Sequence, residues 1–509
     1  MPRPTSAPAP PAPPARTVPV RFATARAASA GAAAGDADDA PLTWSQRYYL
    51  AEVEAARAHG RGLNVPRLYR LRPGATEAGA ADALRALLER YEVLRSRLVH
   101  DEAGGVRQRA HSAGTLDLAV HEVPAGGPPG AAEQHARAVL DALTAPPLDL
   151  AEEWPVRAAL VTDDGHPRHL ALAFSHVAVD AYALVPVSAH LVERIAEADP
   201  VARTAPATGA PPHGPREQAA AEASPAGERA ARRALRHAEE AYRRMPPAAP
   251  PAARPARSPA ASPPPGPRYR FLSHRSPALG LAVGAVAART GESAAAVLTA
   301  ALIALDAVRT GPVPGGDGAA TRYGAVHLIS ANRLRPETAA AVLPLSQPVP
   351  ACADTAGATF DELVSRAAVA SLRAFRAGGG PPDRLAALLR AVEEERGVRL
   401  DPTLTLNYRP RATALPARPA TADELAAAAT RAVSRWTDGD PWRASHYLSA
   451  DVDASGIRLV LQTDTARHPP EGAERWLAAL ERLLCAAALD ARCPALPDAD
   501  PWGPDLPAG

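Results

Sequence analysis

The interval from Thr204 to Pro267 constrains this 509-residue chain most, because no single core can run through it. Its last 22 residues, Pro246 to Pro267, include ten prolines. Proline removes a backbone donor and fixes φ, so neither a helix nor a sheet propagates across such a stretch. Its middle, about Arg216 to Arg244, is charged and alanine-rich and reads as a helix. The interval is therefore read as an interlobe linker over 206–267, between a first lobe at 41–205 and a second at 268–490. The length is ample for two cores of this size.

The flanks read differently. Residues 1–20 hold eight prolines and no acidic residue, so 1–40 is expected to be a disordered arm that cannot bury enough apolar surface to offset its ordering entropy. Residues 491–509 are expected to be a tail. The longest apolar run, Leu170 to Val187, is interrupted by His176 and Asp180 and falls short of the ~18 uninterrupted apolar residues of a membrane span. No membrane partner is expected.

Charge and composition remove further classes. Fifty-six basic and 55 acidic residues leave a net charge of +1, which gives no overall field to draw in nucleic acid. Cys352, Cys485 and Cys493 are odd in number and show no CxxC spacing, against a disulfide framework or a structural zinc site and in keeping with a reducing cytoplasm. All the basic residues are arginine, so a phosphate loop of the GxxxxGK[ST] type is excluded, and there is no GxSxG elbow.

Both lobes mix helix and strand signals, so the fold class is α/β or α+β. Leu84, Leu87, Leu88, Tyr91, Leu94 and Leu98 recur at helical spacing. Residues 155–162 and 169–175 read as strands of a β-hairpin around Asp163, Asp164, Gly165 and His166, and 182–195 as the next helix. In the second lobe, strands are expected at 268–274, 324–329, 403–407 and 457–463. Helices are expected at 278–308, interrupted near Gly291, and at 471–484. His176 thus stands where a buried strand gives way to a helix, and Asp180 follows at HxxxD spacing. That spacing alone fits a core histidine and a helix-capping aspartate as well as it fits a catalytic base.

The surroundings separate these readings. Leu42-Thr43-Trp44-Ser45-Gln46-Arg47, Arg90-Tyr91-Glu92-Val93-Leu94-Arg95, Pro147-Leu148-Asp149-Leu150 with Trp154-Pro155-Val156-Arg157, and Ser175 to Ala181 fall in order along the first lobe. Asn332-Arg333-Leu334-Arg335-Pro336-Glu337, Asn407-Tyr408 and Leu461-Gln462-Thr463-Asp464 follow in the second. Together they resemble the condensation domains of nonribosomal peptide synthetases, within the chloramphenicol-acetyltransferase-like superfamily, with RHExLR, HHxxxDG and (G/N)RxxPE as the matching patterns.

The resemblance implies two acetyltransferase-like sandwich lobes forming a V with a central cleft, and His176 as the catalytic residue at its centre. It implies no metal and no tightly bound cofactor, with substrates carried on phosphopantetheine arms of carrier proteins or on CoA. It also implies that Asp180 supports the site through a salt bridge, for which Arg333 is the expected partner. Three departures stand out. Ser175 replaces the first signature histidine, Ala181 replaces the final glycine, and Leu343-Pro344-Leu345-Ser346-Gln347-Pro348 replaces the family's floor segment.

A neutral imidazole suits this chemistry, since a nucleophile attacking a thioester must shed a proton near pH 7. The expected activity is that of a stand-alone condensation-type acyltransferase making an amide or ester in a nonribosomal-peptide-type natural-product pathway and acting in trans on other proteins' carriers. The alternative is an inactive module of the same fold that docks carrier proteins or tailoring enzymes.

Overall fold

A computed structural model of the chain describes residues 13–24, 38–124, 130–197, 213–248, 268–308, 313–314, 320–410, 415–437, 439, 442–453, 456–465 and 468–497. It forms two compact units, each mixing helices with a sheet. The first comprises Met1–Glu228 with Ala331–Ser346, the second Arg229–Ser330 with Gln347–Gly509.

The first unit is built on a five-stranded sheet. Its order is Arg16–Ala23, Ala113–Glu122, Val156–Asp163, His166–Ser175 and Asn64–Arg70. Val156–Asp163 lies between two neighbours and is covered on both faces, which explains its alternation. Val156, Ala158 and Leu160 join the helices Glu77–Arg90 and Leu184–Arg194 in one core, while Ala159 and Val161 meet Ala136 and Val139 of the helix Ala131–Thr144 on the other side. The hairpin between Val156–Asp163 and His166–Ser175 turns through Asp164 and Gly165, both at positive φ (52° and 71°), as a two-residue turn of the I′ kind requires. This hairpin carries the chain to His176.

The second unit has a seven-stranded sheet ordered Gln347–Asp354, Tyr323–Ser330, Thr405–Pro410, His446–Asp453, Gly456–Asp464, Tyr269–Ser276 and Val433–Thr437. The helices Pro277–Thr290, Ala294–Ala307, Phe360–Ala377 and Pro470–Leu489 fill its main core. Gly291 ends the first at φ 72°, and Ser293 caps the second through the Ala296 N–H, so the pair bends by 105°. Among the described residues no single helix is long and apolar enough to cross a membrane.

Four expectations need correction. The arm at 1–40 is not wholly without structure, because Arg16–Ala23 pairs antiparallel with Ala113–Glu122. Val18, Val20 and Phe22 alternate toward the core, and Pro19 is tolerated because the strand lies at the sheet edge. The rest of that arm's proline-rich start, 1–12, and 25–37 lie outside the described residues. The helix read through Leu98 ends at Arg90. Val93 and Leu94 are buried through a 3₁₀ turn, Glu92–Arg95, and Leu98, half-buried, lies in a strand, Ser96–His100.

The lobe boundaries also move. The helix Pro215–Ala223 belongs to the first unit, fixed by Glu222 accepting from the Trp44 N–H at 2.7 Å and by Arg216 pairing with Glu92, and 331–346 returns to the first unit from within the second lobe. Most of the proline-rich linker, 249–267, lies outside the described residues. The tail begins later than 491, since the Cys493 carbonyl accepts from Phe360 and Ala495 is buried; 498–509 lie outside the described residues.

The strand Tyr323–Ser330 sits so close to the helix Ala294–Ala307 that a β-carbon on Gly324 would stand 2.0 Å from the Ile303 carbonyl oxygen. Gly324→Ala is expected to cost about 1–3 kcal/mol, as overpacking does, read as a lower urea midpoint at unchanged m-value.

Candidate active site around His176

The strand His166–Ser175 is buried to its last residue, and the turn that follows is held by its own backbone. The Ser175 carbonyl accepts from the N–H groups of Ala178 and Val179, and the Ser175 hydroxyl accepts from Val177 at 3.2 Å. Val177, Ala178 and Val179 are buried. These apolar anchors leave His176 as the partly exposed residue of the turn, with its backbone N–H on the Leu63 carbonyl.

One face of the imidazole is covered by Tyr49, whose ring stacks on it at 4.1 Å between centroids and 10° between planes. Tyr49 comes from the helix Trp44–Arg57, which opens in a capping box. The Thr43 hydroxyl accepts from the Gln46 N–H, and the Gln46 side chain accepts from the Thr43 N–H. The phenol of Tyr49 is in turn 2.7 Å from the Ser346 hydroxyl.

Asp180 points away from the ring into a ring of donors. Its Oδ1 accepts from the Ala183 N–H at 2.8 Å and Arg333 Nη2 at 3.1 Å. Its Oδ2 accepts from the backbone N–H groups of Leu345 and Ser346, both at 2.9 Å, and from Arg333 Nη1 at 3.3 Å. Both side chains are nearly inaccessible, 1% for Asp180 and 7% for Arg333. Arg333 also donates to the carbonyls of Ala341 and Leu343 and lies 5.7 Å from the centre of the Tyr182 ring.

The segment supplying these partners is locked by its own sequence. Asn332 takes φ 52° and donates to the Leu345 carbonyl at 2.7 Å, which also accepts from Ser45, while Ala341, Val342, Leu343 and Leu345 are buried in the first unit's core.

Burial pushes the His176 imidazole down to about 4, opposed by the negative charge of Asp180 and by backbone hydrogen bonding at His176 and Val179. Packing around the ring excludes water, so desolvation of the charged form dominates. The ring is neutral at physiological pH. It can accept a hydrogen bond from an incoming N–H or O–H, and as a weak base it takes the proton itself only late in bond formation.

The structure therefore brings Ser175, His176, Asp180, Ala181 and Arg333 into one neighbourhood. Asp180 receives Arg333 and accepts from the Ala183 N–H in the turn before Leu184–Arg194, whose N-cap is Ala183 with no side-chain cap, so the helix-capping reading does not hold. Among described non-glycine residues only Asp164 and Asn332 have positive φ, so Ala181 occupies backbone that any residue adopts. The altered floor segment supplies two amides to Asp180. Asn407, Tyr408 and Gln462 lie in the second unit's sheet, where Gln462 bridges Trp442 and Ala444. Sequence reasoning missed Tyr49, Ser346 and the backbone of Leu345; the Tyr48-Tyr49 pair just after the opening motif was the available signal.

Residues 36–191 match the family model described as Condensation domain. The structure aligns with the domain of the condensation-mediated chain release from the enacyloxin polyketide synthase at 22% identity and TM-score 0.64, covering 89% of this chain and 84% of that one. The chain has the condensation-domain fold. The X-domain in complex with OxyB from teicoplanin biosynthesis is similar at 18% identity, TM-score 0.62 and coverage of 92% and 97%. So is the starter condensation domain of rhizomide synthetase in complex with C8-CoA and Leu-SNAC, at 16%, 0.60, and 90% and 96%. Curated protein sequences give no match. At these identities the likeness to solved condensation domains is one of fold, and it bears out the resemblance carried by the ordered motifs.

Two outcomes follow from this geometry. Asp180→Ala leaves Arg333 buried beside five lost acceptor contacts and is expected to cost about 3–5 kcal/mol, measured by urea unfolding; an exchange of both residues for apolar ones is expected to recover part of that loss. His176 is neutral when folded and titrates near its ordinary value when unfolded, so the unfolded chain binds the extra proton between pH 6.5 and about 4. Its contribution is complete above that window and falls as pH drops through it. His176→Gln is expected to show a shallower acid-side loss of unfolding free energy than the parent chain.

Proposed function

We propose that the chain is a condensation-type acyltransferase that joins an acyl or aminoacyl thioester to an amine or alcohol. The observation that carries this reading is a neutral imidazole on a half-buried residue, clamped flat against Tyr49 at the end of a buried strand, beside a carboxylate whose lone pairs are all engaged elsewhere. In the reaction the nucleophile's nitrogen or oxygen bonds to the thioester carbonyl carbon while its N–H or O–H donates to His176. The carbon–sulfur bond then breaks, the proton passes to the departing sulfur, and an amide or ester and a free thiol result. His176 orients the lone pair of the nucleophile and holds the proton in transit. Asp180 and Arg333 are positioning residues: they fix the turn, and no proton passes through them.

Substrates of this kind fit phosphopantetheine thioesters presented by carrier proteins of synthetase modules, or CoA thioesters, in a nonribosomal-peptide-type pathway. No tightly bound cofactor is required, and a cytoplasmic location fits such partners and the three free thiols.

A second reading, a docking module without acyl transfer, is favoured by the departures at Ser175 and Ala181 and by the structural likeness to the X-domain complex with OxyB. The first reading is preferred because neither departure disturbs the turn: the Ser175 hydroxyl stays engaged on Val177 and Ala181 keeps ordinary φ. Incubation with aminoacyl- and acyl-loaded carrier proteins or their N-acetylcysteamine thioesters, followed by intact mass, separates the two. The acyltransferase reading expects condensed product, reduced about 10²–10⁴-fold in His176→Ala while circular dichroism shows the variant still folded. Product formed equally by the variant, or by neither protein across the loaded panel, overturns it.

A further inference from the structure

The second unit holds a cavity of about 440 Å³ that no residue of the His176 site lines. It lies between the helix Pro225–Arg244, the helix Phe360–Ala377 and the end of the edge strand Gln347–Asp354. Its floor is kept open by small residues, Ala241, Ala353 and Ala370 with Cys352, where larger side chains would fill the space. The pocket is about half open to solvent, and its volume falls within the range of small-molecule sites, roughly 300–1,000 Å³.

The walls are fixed and polar at chosen points. His237 Nε2 lies 2.7 Å from the Pro350 carbonyl, which holds the imidazole in the wall. Two turns on along the same helix, the Arg244 guanidinium sits 5.9 Å from the centre of the Tyr323 ring. Arg366, exposed on its helix, donates from Nη1 to the Asp354 carbonyl at 2.8 Å, and Arg373, also exposed, stands two turns further along the same helix. Two carboxylates share the lining, Glu240 and Asp354, but Asp354 Oδ1 already accepts from the N–H groups of Arg322 and Ala356. Three guanidiniums against the two carboxylates of Glu240 and Asp354 leave a local excess of one positive charge in the lining. Val369 and Leu372, each about half exposed, continue the apolar floor onto the rim.

We propose that this cavity binds a small organic anion, a carboxylate or phosphate ester on an apolar body about one ring in size, gripped by Arg244, Arg366 and Arg373. Planar guanidiniums suit such anions because their paired N–H groups match the two oxygens of a carboxylate or phosphate. The alanine-lined floor receives the apolar body, and the Tyr323 ring forms one side. The inference does not depend on acyl transfer.

Isothermal titration of the full chain tests it with phenyl phosphate and benzoate as probes, and benzyl alcohol and inorganic phosphate as controls. Arg366→Ser with Arg373→Ser removes two exposed cations, and Val369→Trp fills the cavity from an exposed position; circular dichroism checks that both stay folded. Saturable one-site binding of phenyl phosphate or benzoate is expected, the tighter of the two identifying the anion type. Each variant is expected to weaken it on the order of tenfold, as loss of charged hydrogen bonds does. Absence of saturation with both probes, binding unchanged in both variants, or equal affinity for either control would overturn the proposal.

Discussion

The carboxylate of Asp180 is the constraint on which the candidate site rests. A buried charge is tolerated only when its lone pairs are answered, and here five donors answer it: two from Arg333, two from the amides of Leu345 and Ser346, and one from Ala183. Those donors come from segments far apart in sequence. Satisfying one side chain therefore joins the turn after His166–Ser175 to the returning segment 331–346 and to the Ala183 amide just before the helix Leu184–Arg194. His176, four residues earlier, inherits a fixed position without using the carboxylate.

The same arrangement shows how Ser175 and the 343–348 segment fit the turn. Ser175 needs only to close the turn, which a hydroxyl does on the Val177 amide. Leu345 and Ser346 stand where the family has another floor segment, yet their backbone does the anchoring and leucines at 343 and 345 hold that backbone in the core. Ser346 then reaches Tyr49, so one short segment steadies both the carboxylate behind the histidine and the aromatic ring on its face.

Much of this was legible in the sequence. Alternating apolar residues and the Asp164-Gly165 turn gave the hairpin, and ordered motifs tied His176, Asp180 and Arg333 to one fold. What escaped was information carried by three-dimensional neighbours. Amides have no side-chain signature, so the role of Leu345 and Ser346 was invisible. Tyr49 looked like any residue on an amphipathic helix. The strand Arg16–Ala23 was hidden by the prolines around it, because its stability comes from an edge partner about a hundred residues away. Leu94 and Leu98 kept helical spacing while lying in a 3₁₀ turn and a strand, backbone shapes that periodicity alone does not distinguish.

The account depends on an imidazole that stays uncharged because packing, not a proton-sharing carboxylate, governs it. Carbon-13 labelling of histidine and an NMR titration of the His176 ring, assigned by loss of its signal in His176→Gln, measures this directly. A midpoint far below 6.5, near the value of about 4 set by burial, is the predicted result. A midpoint at or above 6.5 would mean that the ring is solvated or ion-paired in the folded chain, and would contradict the account.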